Sequence, residues 1–126
     1  MLLNLSNHPS DKWAQEQLDA AQIQYGGVVD MPFPQINPEA TTDEVVALAK
    51  EYARKIILHT PSVSTVHLMG EMTFVIALVP MLQAAGIEVV CSTTERIVLE
   101  EQAGKKTLQF RFCRFRAYAR WVKVVL

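Results

Sequence analysis

Two cysteines in 126 residues, Cys91 and Cys113, form no CxxC pair and join no His/Cys cluster. That scarcity excludes a disulfide framework and a structural zinc site, and it suits a reducing cytosol. The five glycines fall into neither a GxGxxG nor a Walker arrangement. No dinucleotide or triphosphate fingerprint is therefore present. No apolar stretch reaches the roughly 18 residues that a bilayer span requires. The opening Met1–Leu5 lacks the basic flank and the apolar length of a secretory signal, so a cytoplasmic protein is expected. Neither sign of charge dominates. A net charge of −1 argues against coating long DNA or RNA through phosphate neutralisation, while leaving room for a small anion in a local pocket. What is present is apolar: half the residues are hydrophobic and 20% are charged. That is the composition of one globular domain spanning residues 1–126. No internal repeat or low-complexity linker interrupts it.

The apolar runs alternate with helical patterns. Leu2–Leu5 reads as a first strand. Ser10 reads as the N-cap of a helix reaching about Gln24, with Trp13, Ala14, Leu18 and Ala21 inward. Gly26-Gly27 ends it, Val28-Val29 forms a very short strand, and Met31-Pro32-Phe33-Pro34 leads away extended. Thr41 with Glu44 fits a capping box before Val45, Leu48, Ala49, Tyr52 and Ile56 at helical spacing. Val63–Met69 reads as a third strand. Thr73–Ala85 reads as an apolar helix that Pro80 should kink or deprive of one bond. Ile87–Cys91 reads as a fourth strand. Two more extended runs, Ile97–Glu101 and Lys106–Phe115, predict a hairpin over about 95–118, turning at residues 102–105. The pattern predicts an α/β fold: a three-layer Rossmann-like domain with a mostly parallel sheet and a C-terminal antiparallel β-hairpin. Right-handed crossovers put the first and third strands side by side at the switch point.

Three polar segments follow apolar strands, where a parallel sheet opens its carboxyl edge to ligands. The first, Ser6-Asn7-His8-Pro9-Ser10, brings a hydroxyl, an amide and an imidazole together. His8 is placed for proton transfer near neutral pH, although turn and cap roles explain Asn7 and Ser10 as well. The second, Gly70-Glu71-Met72-Thr73, turns strand into helix at one glycine, which lets a ligand approach the backbone. Glu71 there either accepts from ribose or base donors or suits the helix dipole. The third, Ser92-Thr93-Thr94-Glu95-Arg96, is expected to be a loop. Arg96 is its candidate for a charge-assisted phosphate contact, against the plainer reading of a Glu95–Arg96 surface pair.

His67, between Val66 and Leu68, reads as a satisfied core or interface histidine, and His59 as a helix-end residue. The run Phe110-Arg111-Phe112-Cys113-Arg114-Phe115-Arg116, with Tyr118, Arg120 and Trp121, interleaves bases with aromatics. Base stacking fits it. So does an amphipathic strand with phenylalanines inward, or a homodimer seam.

The opening Leu-Leu-Asn-Leu-Ser-Asn-His-Pro-Ser resembles the amino-terminal strand and loop of small stand-alone CRISPR-associated proteins with a CARF-like, Rossmann-like fold. The strand–Gly–helix element at His67–Leu78 and the Ser-Thr-Thr-Glu-Arg segment at 92–96 stand where that fold carries its ligand loops. The likeness covers about the first hundred residues at the level of topology. It implies a homodimer that binds cyclic oligoadenylate, the second messenger of type III CRISPR immunity. It further implies ring-nuclease cleavage without a metal or cofactor, through attack of a ribose 2′-hydroxyl on the neighbouring phosphate. Catalysis would fall to His8 and Arg96, and ligand binding to Ser6, Asn7, Gly70, Glu71, Thr73, Ser92, Thr93 and Thr94. None of the three segments holds a lysine, which sets this chain apart from a lysine-dependent mechanism. That absence leaves open a non-catalytic sensor or sink, or another small nucleotide-binding regulator.

Overall fold

A computed structural model describes residues 1–100, 104 and 106–120. Among them, the strands are β1 (Leu2–Ser6), β2 (Val28–Asp30), β3 (Thr65–Met69), β4 (Glu88–Glu100) and β5 (Lys106–Ala117). The helices are α1 (Gln15–Tyr25), α2 (Thr42–Ile57) and α3 (Met72–Ala84), with a short 3-10 turn at Ser10–Lys12. The sheet runs in the order β2-β1-β3-β4-β5. Its first four strands are parallel and β5 returns antiparallel to β4. The fold is α/β and Rossmann-like, with the switch point between β1 and β3 as expected.

Alternation along the strands divides two cores. Leu3, Leu5, Val66, Leu68 and Val89 turn toward α2 and α3 and pack on Ala49, Ile56, Phe74 and Leu78. Leu2 and Val90 turn the other way, onto Trp13, Ala21 and Phe115. α2 begins with the expected capping box: Thr41 Oγ1 accepts from the Glu44 amide, and the Glu44 carboxylate accepts from the Thr41 amide. Pro80 stands inside α3, so the Ile76 carbonyl forgoes its helical donor.

Two expectations need correction. Ser10 does not cap α1, whose N-cap is Ala14. The Ser10 hydroxyl instead donates to Asp30 Oδ2 at 2.7 Å, tying the β1 loop to the end of β2. The segment Ser92–Arg96 is not a loop. It lies inside β4, which runs unbroken from Glu88 to Glu100, so the hairpin begins within that strand rather than at 95. Thr93 and Thr94 are β-branched and favour a pleated strand. Opposite Thr93–Thr94 the register shifts: Arg114 pairs with Thr93 and Phe112 with Thr94, leaving Cys113 as the extra residue of a bulge. The bulge keeps Phe115, Phe112 and Phe110 opposite Ser92, Thr94 and Arg96 respectively, all on the α1 side. The predicted turn residues Gln102, Ala103 and Lys105, and Trp121, lie outside the described residues.

Candidate functional site

On the α1 side, four strands each contribute one polar side chain, three of them level with one another and the fourth, Ser92, two residues beyond Val90, the β4 partner of His67. Asn4 of β1 is in register with Asp30 of β2 and with His67 of β3. Asn4 Nδ2 donates to Asp30 Oδ1 at 2.8 Å, and Asn4 Oδ1 lies 2.8 Å from His67 Nδ1. His67 Nε2 lies 3.1 Å from Ser92 Oγ on β4. The result is a hydrogen-bonded row, Asp30–Asn4–His67–Ser92, crossing the sheet. Asn4 and His67 are 1% and 2% exposed, and every buried side-chain polar atom among the described residues has a partner. Trp13 and Phe115 both meet the imidazole edge-on, with centroids 5.2 and 5.7 Å away. Burial, reinforced by the nearby His8, pushes the His67 pKa down to about 4, so the ring is neutral at physiological pH. The expectation of a satisfied histidine holds for its burial and its bonds.

Ser92 ends the row at the wall of a cavity of about 570 Å³. His8, Lys12 and Gln17 border it on the α1 side, and Thr94, Phe110 and Phe112 on the hairpin side. Trp13 and His67 form its floor, beside Met69. The cavity thus combines aromatic faces, hydroxyls, two imidazoles, an amide and one ammonium group at the carboxyl edge of the sheet. Its volume falls within the range of small-ligand sites.

The residues singled out from the sequence divide among different places. His8, Ser92 and Thr94 share this cavity. Arg96 lies two residues beyond Thr94 on the same face and is exposed. Thr93 points to the opposite face and donates to the Arg114 carbonyl at 3.2 Å. Ser6 is buried, within hydrogen-bond distance of Asn4 Oδ1 and the His8 carbonyl. With Asn7 it borders a second cavity of about 490 Å³, which Asp30 and the Met31–Gln35 segment complete. Glu95 pairs with Arg111 across the hairpin rather than with Arg96.

The Gly70 turn serves packing. Glu71 caps α3 by accepting from the Thr73 and Phe74 amides at 3.1 and 2.9 Å. The Thr73 hydroxyl also donates to it, and these bonds hold the Glu71 carboxyl below its usual pKa. Of the two readings of Glu71, the cap supports the helix-dipole one: its carboxylate occupies the amino end of α3. Thr73 borders a third cavity between α2 and α3. A Cβ on Gly70 would come within 2.3 Å of the Phe33 ring. Gly70→Ala is therefore expected to cost about 1–3 kcal/mol through overpacking. Phe33→Ala in the same chain should recover part of that loss. Denaturant unfolding of the two single variants and the double variant checks this, and strictly additive losses would show that ring and glycine do not compete for the space.

Sequence reasoning missed Asn4, Asp30, Lys12 and Gln17. The signal for Asn4 was available: one amide inside the run Leu2-Leu3-Asn4-Leu5, matching the one imidazole inside Val66-His67-Leu68. Among the described residues, no group of three His, Cys, Asp or Glu side chains is arranged to hold a metal ion. Among the described residues, no helix is long and apolar enough to cross a membrane.

Residues 1–116 match the model of the uncharacterized protein MJ1673 family. The chain belongs to that family. Neither the curated proteins nor the solved structures give a significant match. The matched span of the MJ1673 family contains the whole polar row and every residue that borders the 570 Å³ cavity.

Proposed function

We propose that this protein binds cyclic oligoadenylate at the cavity beside Ser92, as a homodimer, and opens the ring without a metal by attack of a ribose 2′-hydroxyl on its own phosphate. The observation that carries this reading is the make-up of the cavity. A nucleotide needs a flat surface to stack on, groups to read its edges and a cation for its phosphate. Here Phe110 and Phe112 offer the first, His8, Gln17, Ser92 and Thr94 the second, and Lys12 the third, with Arg96 further along the same face. One cavity is too small for a whole ring of four or more nucleotides, and a second copy related by a two-fold axis would supply the rest. The protein would act by holding the 2′-oxygen in line with the phosphorus and by offsetting charge on the phosphoryl oxygens. His8 would move protons, and Arg96 would meet a phosphate. Gly70, Glu71 and Thr73 do not border this cavity.

Incubation with cyclic tetra- and hexa-adenylate in the presence of a chelator tests the reading. The expected product is linear and ends in a 2′,3′-cyclic phosphate. Bound but intact ring would support the sensor or sink. No binding of either ring would end both. Arg96→Ala is expected to weaken binding about 10-fold, the scale of one charge-assisted contact. His8→Ala should slow turnover about 100-fold while changing affinity less.

A further inference from the structure

The hydroxyl of Ser92 faces the cavity, yet its proton is already committed. The Asp30 carboxylate and the His8 carbonyl accept, and both contact the same end of the Asn4 side chain, at 2.8 and 3.0 Å. That end is therefore the NH₂ group. The other end, the carbonyl oxygen, stands 2.8 Å from His67 Nδ1 and can only accept, so Nδ1 carries the imidazole proton. A neutral ring then leaves a lone pair on Nε2, and Ser92 Oγ, 3.1 Å away, donates to it. The other acceptor within reach, Met69 Sδ at 3.2 Å, is a thioether and a weaker acceptor. It also receives the Ser92 amide at 3.3 Å.

We infer that Ser92 is a hydrogen-bond acceptor of fixed polarity, and that it selects ligands presenting an O–H or N–H at that point of the cavity wall. Asp30, Asn4 and His67, on the three strands to one side of β4, are positioning residues that dictate this polarity. A free serine hydroxyl rotates to suit either a donor or an acceptor. This one does not, because turning its proton into the cavity would strand the buried lone pair of His67. Resting on the function proposed above, the matching donor is a ribose 2′-hydroxyl, which makes Ser92 the atom that distinguishes a ribonucleotide ring from its 2′-deoxy counterpart.

Two measurements test this. Long-range ¹H–¹⁵N correlation of the imidazoles at pH 7 should show His67 protonated at Nδ1 and bare at Nε2. An Nε2–H tautomer, or averaging between the two, would overturn the assigned polarity. Titration with cyclic tetra-adenylate and with its 2′-deoxy ring should show the ribose form bound at least about 10-fold tighter by the wild-type chain. Ser92→Ala should bring the ratio close to one by weakening the ribose form alone. An unchanged ratio in that variant would remove Ser92 as the selecting atom. If the wild-type chain binds neither ring, the nucleotide reading and its ribose clause fall together, and the polarity of Ser92 is decided by the imidazole signals alone.

Discussion

Between pH 6.5 and pH 4 this protein is expected to lose about 3 kcal/mol of folding stability through a single side chain, His67. In the unfolded chain the imidazole titrates at its ordinary 6.5, whereas in the fold it titrates at about 4. Below 6.5 the unfolded state takes up a proton that the folded state refuses, so stability falls with falling pH. The loss runs through the window between the two values and levels off below 4, once both states are protonated. Three features of the fold cause it. The ring is 2% exposed, Trp13 and Phe115 cover it, and the nearest ionisable side chain acting on it, His8, repels a second positive charge. Asp30 lies one residue away through Asn4 and meets the amide rather than the ring. Urea unfolding at closely spaced pH values reads the slope, and His67→Gln should flatten it in that window whatever its effect on absolute stability. Should that variant not fold, direct NMR titration of His67 in the wild-type chain decides the matter, and a midpoint near 6.5 would refute the prediction. Glu71, whose pKa is lowered from the usual 4.5, keeps its contribution above that value and loses it only below, so the part of the window above 4.5 is free of it.

The acid sensitivity and the fixed hydroxyl have one origin, and it was half visible in the sequence. The adjacency of β1 and β3 followed from apolar runs and right-handed crossovers. The capping box at Thr41 and Glu44 followed from its spacing. His67 was legible as an interior histidine because it interrupts an apolar run. What could not be read was its partnership with Asn4 and Ser92, since alternation says which face a residue takes but not its height on the neighbouring strand. Polarity misled the reading at Ser92–Arg96. Loops are polar because they meet water, and this strand is polar for the same reason where it outruns the helices. The aromatic spacing held a further clue. Phe110 and Phe112 share one parity and Phe115 the other, so all three can face α1 only if one residue between them is extra. Cys113 is that residue. Ser10 and Gly70 show the opposite limit. Each suited a local rule, a cap and an open turn, and each was claimed by a distant group: the Asp30 carboxylate and the Phe33 ring.

On the opposite face the largest single loss of stability is expected from Phe74→Ala, about 3–5 kcal/mol. Phe74 is fully buried and joins three parts of the chain. Phe33, from the extended segment after β2, meets it edge-on at 5.3 Å, and Tyr52 of α2 does so at 5.5 Å. Truncation removes the transfer energy of the ring and leaves a void, because Phe33 is itself pinned over Gly70 and Tyr52 is carried by a helix. Against a total stability of roughly 5–15 kcal/mol for a domain, that loss should lower the urea midpoint with little change in slope. Ile23→Ala sets the contrast. Ile23 is also a large apolar residue, but it is 83% exposed, and its truncation should stay within about 0.5 kcal/mol. The functional consequence is directional. Freed from Phe74, Phe33 and the Met31–Gln35 segment should loosen the 490 Å³ cavity they border. Asn4 and Asp30 also border that cavity, but the His67 ring packs against Trp13 and Phe115 of the other core, so its imidazole signals should keep their wild-type pattern below the unfolding transition. A changed tautomer in Phe74→Ala would mean that the two faces of the sheet are coupled, and that the cavity beside Ser92 is shaped from both.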